Sequence, residues 1–261
     1  MIKTKVIGRV FRQDEIADQI YDMWIETELA QGARPGQFVC VYTKNAAALL
    51  PRPISICEVN EEKTMLRLVY RTVGTGTNEF ADYHAGTEIS LLGPLGNGFP
   101  VEKAAGKRVF LIGGGIGIPP MLQLSKEIKK AGQAYCELSV LGYRNELFLN
   151  TDLEKYSQVY VATEDGNAGT KGTVLDAIKE KGLSGDVIFA CGPMPMLRAI
   201  KEYAAANNME AYISLEEHMA CGVGACLGCV CKTKNVDAHS HVHNSRICTD
   251  GPVYNAEEVE I

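Results

Sequence analysis

Tryptophan occurs once in the 261 residues, and aromatic residues make up only 7%. No long apolar run is present. The most apolar window, "VFLIGGGIGIPPML" (109–122), is broken by Gly and Pro and falls short of the ~20 residues a membrane helix needs, so no membrane insertion is expected. There is no basic excess either. The net charge is −6 and no Lys/Arg-rich stretch or basic helix face stands out, which speaks against nucleic acid as a partner. "MIKTKVIGRVF" is not followed by an apolar core or a small-residue cleavage site, so it does not read as a signal peptide. The expected location is the cytoplasm, or a membrane surface only through a partner. Internal repeats and low-complexity tracts are absent, and 46% hydrophobic residues exclude a disordered chain.

Cysteine is abundant: nine residues, an odd number. In a reducing cytoplasm disulfides are not expected. Cys40, Cys57 and Cys136 stand singly among strand-like residues and read as small buried hydrophobes. Five of the others, Cys221, Cys226, Cys229, Cys231 and Cys248, gather within 218–261, where their spacing becomes informative.

The chain changes rhythm twice, giving expected units of 1–102, 103–215 and 216–261. In the first, "TKVIGRVF", "QIYDMWIETE", "GQFVCVYT", "PISICEV", "TMLRLVYRTV" and "TEISLLG" are short, rich in β-branched and aromatic residues, and bounded by turns such as "RPGQ" (34–37) and "NEEK" (60–63). Six such strands predict a small antiparallel β-barrel. From about 105 strands alternate with helices. "KRVFLIGGG" leads into "PPMLQLSKEIKKAG", with Pro near its start and Gly just past its end. A strand over 134–141, "QVYVAT", "VLDAIKEK", "DVIFAC" and "PMLRAIKEYAAANN" continue the pattern, and "AYISLEE" (211–217) can add a last strand. The fold class is therefore β plus α/β: a barrel, then a parallel sheet with crossover helices. Residues 218–261 have little periodicity, so a staple or cluster is expected to order them.

In "MACGVGACLGCVC" (219–231) the spacing is Cys221-x4-Cys226-x2-Cys229, with Cys248 after eighteen intervening residues. This is the spacing of a plant-type [2Fe-2S] site. Four thiolates must converge on two irons from a wrapping loop, and Gly222, Gly224, Ala225 and Gly228 let backbone N–H groups approach sulfur. Zinc is the rival, since four thiolates also suit a tetrahedral ion. Zinc sites usually pair two C-x2-C knuckles, however, and Cys248 stands alone. Cys231 is a surplus thiol, read as an unliganded neighbour on the face of Cys229. His239, His241 and His243 alternate, either as a solvated loop or hairpin face or as Rieske-type ligands.

"GGGIGIPPM" (113–121) follows a buried strand and opens a helix. Gly113, Gly114, Gly115 and Gly117 allow a pyrophosphate close to backbone, and the helix N-terminus offers unpaired N–H groups. The bland alternative is a turn that packs strand to helix. A second strand–helix junction, "ACGPMPM" (190–196), would complete a crevice at the carboxyl ends of the strands. "RPISI" (52–56) sets Arg52 and Ser55 where a guanidinium and a hydroxyl can meet phosphate. "VGTGTNEF" (73–80) adds Gly76 and Thr77, expected just before a short helix.

Taken in order, R-x-x-S, G-T-G-T, "GPLGNGF" (93–99), G-G-G-I-G and C-G-P resemble the ferredoxin–NAD(P)+ reductase superfamily. With "CGVGACLGC…CTDGPV" the pattern resembles its branch of electron-transfer subunits of NAD-dependent dihydroorotate dehydrogenases, over nearly the whole chain. The resemblance implies that Arg52, Pro53, Ile54 and Ser55 hold FAD, that Val69, Tyr70 and Arg71 lie along the flavin, and that Gly76 and Thr77 form the FAD pyrophosphate turn. It assigns Gly113, Gly114, Gly115, Gly117, Cys191, Gly192 and Pro193 to the NAD site, and Cys221, Cys226, Cys229 and Cys248 to the cluster. "EDG…GTKG" (164–172) also matches, without a role. One departure is that many simpler reductases end in an aromatic residue over the flavin, whereas here the chain continues into the cysteines.

These pieces predict a converter. Nicotinamide exchanges two electrons as hydride, an iron–sulfur cluster moves one at a time, and FAD does both. By resemblance, the outer partner is a dihydroorotate dehydrogenase catalytic subunit carrying FMN, in a heterotetramer of two plus two serving pyrimidine biosynthesis. The cysteine loop is then expected at the partner interface. Arg144 is a candidate for a 2′-phosphate, but the resemblance favours NAD over NADP. Two alternatives stay open: a reductase subunit serving a ferredoxin, oxygenase or hydrogenase, and a non-enzymatic iron–sulfur or zinc module.

Overall fold

The computed structural model describes residues 5–237 and 241–261. Six strands, β1 (Lys5–Ala17), β2 (Ile20–Glu26), β3 (Phe38–Tyr42), β4 (Arg52–Val59), β5 (Met65–Arg71) and β6 (Glu88–Leu95), close into a barrel in the order β1-β2-β5-β4-β3-β6, with a short helix α1 (Thr75–Ala81) before β6. Alternation decides the inside. Leu66, Leu68 and Tyr70 of β5 meet Val39 and Val41 of β3 and Ile89 and Leu91 of β6 in one core, as side chains two residues apart share a face. β1 runs beyond the expected strand to Ala17, because it keeps pairing with β2 up to Ala17↔Ile20. The Gln13 amide also ties it to the Phe80, Ala81 and Tyr83 carbonyls.

The second sheet uses β7 (Arg108–Gly114), β8 (Cys136–Tyr143), β9 (Gln158–Thr163), β10 (Thr170–Lys171), β11 (Val187–Cys191) and β12 (Glu210–Ser214). Its helices are α2 (Pro119–Ala131), α3 (Asn150–Leu153), α4 (Val174–Glu180) and α5 (Met194–Ala206). The strand order is β10-β9-β8-β7-β11-β12, all parallel. Both faces are covered, so the central strands are apolar throughout. Phe110, Ile112, Ile188 and Ala190 pack toward α4 and α5, while Val109, Leu111, Val187 and Phe189 pack toward α2.

The cysteine-rich tail, which its weak periodicity marks as unable to build a core of its own, packs on both other units. A hairpin of β13 (Val230–Lys232) and β14 (Asn244–Arg246) leads to β15 (Val253–Asn255), which joins the nucleotide sheet antiparallel to β12. Cys229, Ile247, Cys248 and Tyr254 share a core with Phe38, Cys40 and Leu95 of the barrel and with Leu197 and Ile213 of the sheet unit. Burial in a common core orders this segment, which is too small to bury one of its own.

Charged groups join the barrel to the sheet. The Arg67 guanidinium donates to Asp22 (2.9 and 2.8 Å), Glu58 (3.1 Å) and Asp152 of α3 (3.0 Å). Lys126 of α2 pairs with Glu58 and Glu61 and donates to the Val59 carbonyl at 2.9 Å. Gln123 accepts the Val59 N–H at 2.7 Å, which seats α2 on β4.

Glu137 on β8 sits under α2 and accepts from Ser125 at 3.3 Å. Burial pushes its carboxyl up to about 7, against the pull of Ser125 and Lys129. The folded state therefore favours the protonated acid. This stabilisation is complete below the unfolded carboxylate range near 4.3 and is lost as pH rises through about 7. Glu137→Gln is expected to unfold with the wild type at pH 4. At pH 8.5 the variant should be the more stable by about 2 kcal/mol, read as a higher thermal midpoint. Equal midpoints at both pH values would show that Glu137 is solvated.

Candidate functional site

Two clefts open where the barrel meets the sheet. The first, of about 520 Å³, is lined on the barrel side by Arg52, Pro53, Ile54 and Ser55 of β4, by Val69, Tyr70 and Arg71 of β5, and by Thr77. Arg52 and the G-T-G-T turn meet directly: a Cβ on Gly76 would lie 2.2 Å from Arg52 Nε, so the guanidinium in this position lies directly over the glycine. Contrary to expectation, Gly76 and Thr77 lie inside α1 rather than before it. The Thr77 hydroxyl accepts the Val73 and Gly74 N–H groups at 2.9 and 3.2 Å, so the threonine itself closes the first turn.

The opposite wall was not foreseen. It is the linker from β12 toward the cysteines: Ser214, Leu215, Glu216, Glu217, His218 and Met219. Burial raises the Glu216 carboxyl. The sequence signal was available, since the last strand runs into Cys221 with only this linker between.

The second cleft, of about 580 Å³, lies at the carboxyl ends of β7, β8 and β9. It is lined by Gly114, Gly115, Pro193, Met196, Arg144 and Glu164 among others, and on the barrel side by Asp18 and Gln19. The two glycine motifs divide into two groups. Gly114, Gly115 and Pro193 face the cleft. Gly113, Gly117, Cys191 and Gly192 do not line it and pack beneath. A Cβ on Gly117 would lie 2.4 Å from the Cys191 carbonyl oxygen, and one on Gly192 would lie 3.1 Å from Gly114 N. Cys191 is fully buried and its thiol is raised by burial. The close-packing and ligand-facing explanations of these glycines thus apply to different residues. Arg71 lines both clefts, and Ile116 of the G-G-G-I-G loop reaches into the first. The Asp18 N–H donates to Glu146 at 2.8 Å, tying the β1–β2 turn to the loop after β8.

The cysteine loop lies against the outer face of β3. Gly222 takes φ +68, and a Cβ there would come within 2.9 Å of Cys40 Sγ, which couples a left-handed turn to close packing. All nine cysteines are unbridged. The four spaced thiols influence one another chiefly in two pairs, Cys221 with Cys226 and Cys229 with Cys248. Among the described residues no group of three or more His, Cys, Asp or Glu side chains converges on one point.

Backbone N–H groups aim at the sulfurs. Val223 and Ala225 donate to Cys221 Sγ at 3.4 and 3.3 Å. Burial opposes ionisation of Cys221, but these bonds and those from Cys226 outweigh it and bring the thiol down to about 7. Burial and its partner Cys229 push Cys248 up to about 12, with the Gly224 N–H pulling the other way. Cys226 is exposed, while Cys229 and Cys248 are buried.

Cys231 is half-buried on β13 and hydrogen-bonds Tyr254. His241 and His243 are exposed, and His243 Nδ1 lies 2.9 Å from the Lys234 carbonyl oxygen. His239 lies outside the described residues. No described helix is long and apolar enough to cross a membrane.

Comparison with known proteins accords with this geometry. Residues 216–260 match the family model for the iron-sulfur cluster binding domain of dihydroorotate dehydrogenase B, and residues 111–202 match the oxidoreductase NAD-binding domain. The dihydroorotate dehydrogenase B (NAD(+)) electron transfer subunit of Bacillus velezensis is 44% identical over 95% of both chains. That of Listeria monocytogenes is 40% identical over 100% of both. Among solved structures, an NADH-dependent reduced ferredoxin-NADP oxidoreductase studied for flavin-based electron bifurcation superposes with a TM-score of 0.86 at 28% identity, over 98% of this chain and 90% of that one. A ferredoxin NADP+ reductase from Neisseria gonorrhoeae shares the fold at TM-score 0.65 and 16% identity, over 78% of this chain and 91% of that one. With relatives this similar over nearly its whole length, the chain belongs to the family of electron transfer subunits of dihydroorotate dehydrogenase B (NAD+), built on the ferredoxin–NADP reductase fold.

Proposed function

We propose that this chain carries electrons between the FMN of a dihydroorotate dehydrogenase catalytic subunit and NAD+, through a [2Fe-2S] cluster and FAD, in pyrimidine biosynthesis. The observation that carries this reading is the linker Ser214–Met219, which forms one wall of the first cleft and then runs into Cys221. A chain path that short keeps cluster ligands and flavin pocket together. β3 and β4 reinforce it, since the cysteine loop packs on Cys40 and Cys40 pairs with Pro53 of the cleft.

When bound, FAD trades hydride with nicotinamide and single electrons with the cluster. The protein's own residues bind, orient and shield. Arg52 is the charged group for the FAD phosphates, held against Gly76, and Ser55 offers a hydroxyl on the same strand. Arg71 and Ile116 sit where the two clefts meet and align nicotinamide with flavin. Gly114, Gly115 and Pro193 give the dinucleotide close access to backbone.

The thiol arrangement fits two irons better than one zinc. Two pairs supply two ligands for each iron, whereas tetrahedral zinc needs all four at one point. N–H groups already directed at sulfur favour the thiolates a cluster requires.

Cys226 is exposed beside Val223 and Leu227, which are also exposed. We place the catalytic subunit on this face, in an assembly of two copies of each subunit in the cytoplasm. The ferredoxin-linked relative keeps a serving role for other acceptors in view, but the more similar relatives favour dihydroorotate.

Anaerobically purified protein is expected to show flavin and [2Fe-2S] absorption together, with FAD as the extracted flavin. Dihydroorotate-dependent NAD+ reduction should need the FMN subunit. A colourless chain holding zinc, or efficient dihydroorotate turnover by this chain alone, would sink the reading.

A further inference from the structure

Gln13 is half-buried on β1, whereas Arg12, Asp14 and Glu15 around it are exposed. It lies between the two breaks in register of the β1–β2 pair, at Val10/Arg12 and Glu15/Ala17, and such bulges re-aim side chains. Its amide is fully used. Nε2 donates to the Phe80, Ala81 and Tyr83 carbonyls at 2.9, 3.1 and 2.9 Å, so one of its two protons is shared between acceptors. Carbonyls accept only from the NH2 end, which fixes the orientation of the amide. Oε1 is left to accept the Tyr70 hydroxyl, at 2.8 Å. Burial raises the Tyr70 phenol, which keeps it a donor.

The two ends of this amide serve different walls of the first cleft. Tyr70 lines the cleft from β5 although it is buried. Its ring stacks on Tyr21 at 5.8 Å and meets Phe80 edge-on at 6.1 Å. Phe80 and Ala81 end α1, where carbonyls run out of partners within the helix. The first turn of α1 carries Thr77, which lines the same cleft. Gly76 meets Arg52, and Glu79 accepts the Lys44 and Asn45 N–H groups at 2.6 and 3.2 Å. Those contacts hold α1 to the β3–β4 loop, and Gln13 holds it to Tyr70. Gln13 itself does not line the cleft.

Resting on the assignment of FAD to the first cleft, we propose that Gln13 is a positioning residue for FAD: its one amide sets Tyr70, on the flavin side, in register with α1, on the pyrophosphate side. α1 has seven residues, too few to be stable by itself, so its place is decided by what grips it from outside. FAD must meet both walls at once. A wall that had to be ordered on binding would cost affinity, and one already fixed does not.

The test uses the cluster-loaded full chain, stripped of FAD and titrated with it. Gln13→Met keeps the side-chain length and removes all four hydrogen bonds. It should raise the FAD dissociation constant at least tenfold and alter the visible circular dichroism of the bound flavin. Tyr70→Phe keeps the ring and removes one bond, and should raise the constant about fivefold. The double variant should bind FAD no more weakly than Gln13→Met, since the bond to Tyr70 is then already gone. A purely structural role for Gln13 would lower the thermal midpoint of the flavin-free chain and leave FAD affinity and the flavin spectrum as in the wild type. FAD affinity within twofold of wild type in Gln13→Met, or effects that multiply in the double variant, overturns the proposal while leaving the FAD assignment in place. If Gln13→Met does not fold, Tyr70→Phe decides: unchanged FAD affinity overturns the proposal, and the fivefold loss supports it. A wild-type chain that binds no FAD overturns the assignment, and the proposal with it.

Discussion

Cys226→Ser is expected to strip the cluster from the protein and cut electron transfer between dihydroorotate and NAD+ at least a hundredfold. Iron–sulfur clusters are held by thiolates, and a serine hydroxyl is a hard, weakly acidic replacement. Cys226 is the informative choice because it is exposed, whereas Cys229 and Cys248 belong to the shared core. Loss at Cys229 or Cys248 could reflect a packing defect, but at an exposed thiol that explanation fails. The rest of the segment keeps its support, since β15 still pairs with β12 and Ile247 stays buried. NADH oxidation by ferricyanide, which needs only the flavin and nucleotide sites, should therefore persist. Cys231→Ser is the control. That thiol is engaged with Tyr254, so the variant should keep its iron and its visible absorption. Iron analysis of the two variants decides the matter: a cluster retained in Cys226→Ser and lost in Cys231→Ser would mean the ligand set is misassigned.

Arg67→Met is expected to destabilise the protein by about 3–5 kcal/mol, the usual consequence of removing one partner from a buried charge network. Arg67 is 8% exposed, and its fork engages Asp22, Glu58 and Asp152 at 2.8 to 3.1 Å. Methionine fills much of the volume but leaves Asp22 and Glu58 buried, with Lys126 still paired to Glu58. Burial works against the Arg67 charge, but Asp22 and Asp152 more than offset it, so the guanidinium binds its proton more tightly than usual.

The sign of the pH effect follows from Asp152. Burial raises the Asp152 carboxyl, but Lys155 and Arg67 pull it below its ordinary range, so it contributes stability above the unfolded value that is lost on acidification. Without Arg67 the Asp152 carboxyl binds its proton more readily, so the variant loses less than the wild type on acidification. The difference in thermal midpoint should be largest near pH 7 and should shrink below about pH 5. A constant difference across that range would mean that lost packing, rather than unpaired charge, is responsible. Because the network bridges barrel and sheet unit, the variant should also loosen the junction that both clefts share.

Much of this was readable along the chain. The barrel strands, the α2 span with its glycine stop, and the C-x4-C-x2-C spacing are local patterns: period-two alternation, period-3.6 amphipathicity and fixed loop geometry. They call for no knowledge of what lies across the fold. The errors occurred where local pattern is weak. β15 has three residues, too few to show a period, so its place in the nucleotide sheet went unread. Gly76 and Thr77 read as a turn because glycine disfavours helix, yet α1 begins at Thr75 and the Thr77 hydroxyl closes its first turn.

The sequence by itself determined the kinds of chemistry available: the thiolates, the glycine loops and the Arg–Ser strand. Only the tertiary structure decided their neighbours. It set the Ser214–Met219 linker as a wall of the first cleft, joined Asp22, Glu58, Arg67, Lys126 and Asp152 into one network, and brought Glu164 beside Arg144. The physical reason is separation along the chain. Apart from the linker, whose residues are local but whose opposite wall is not, these contacts join groups from different strands and helices. Strand order and crossover connections, which no local pattern encodes, determine which of those groups meet.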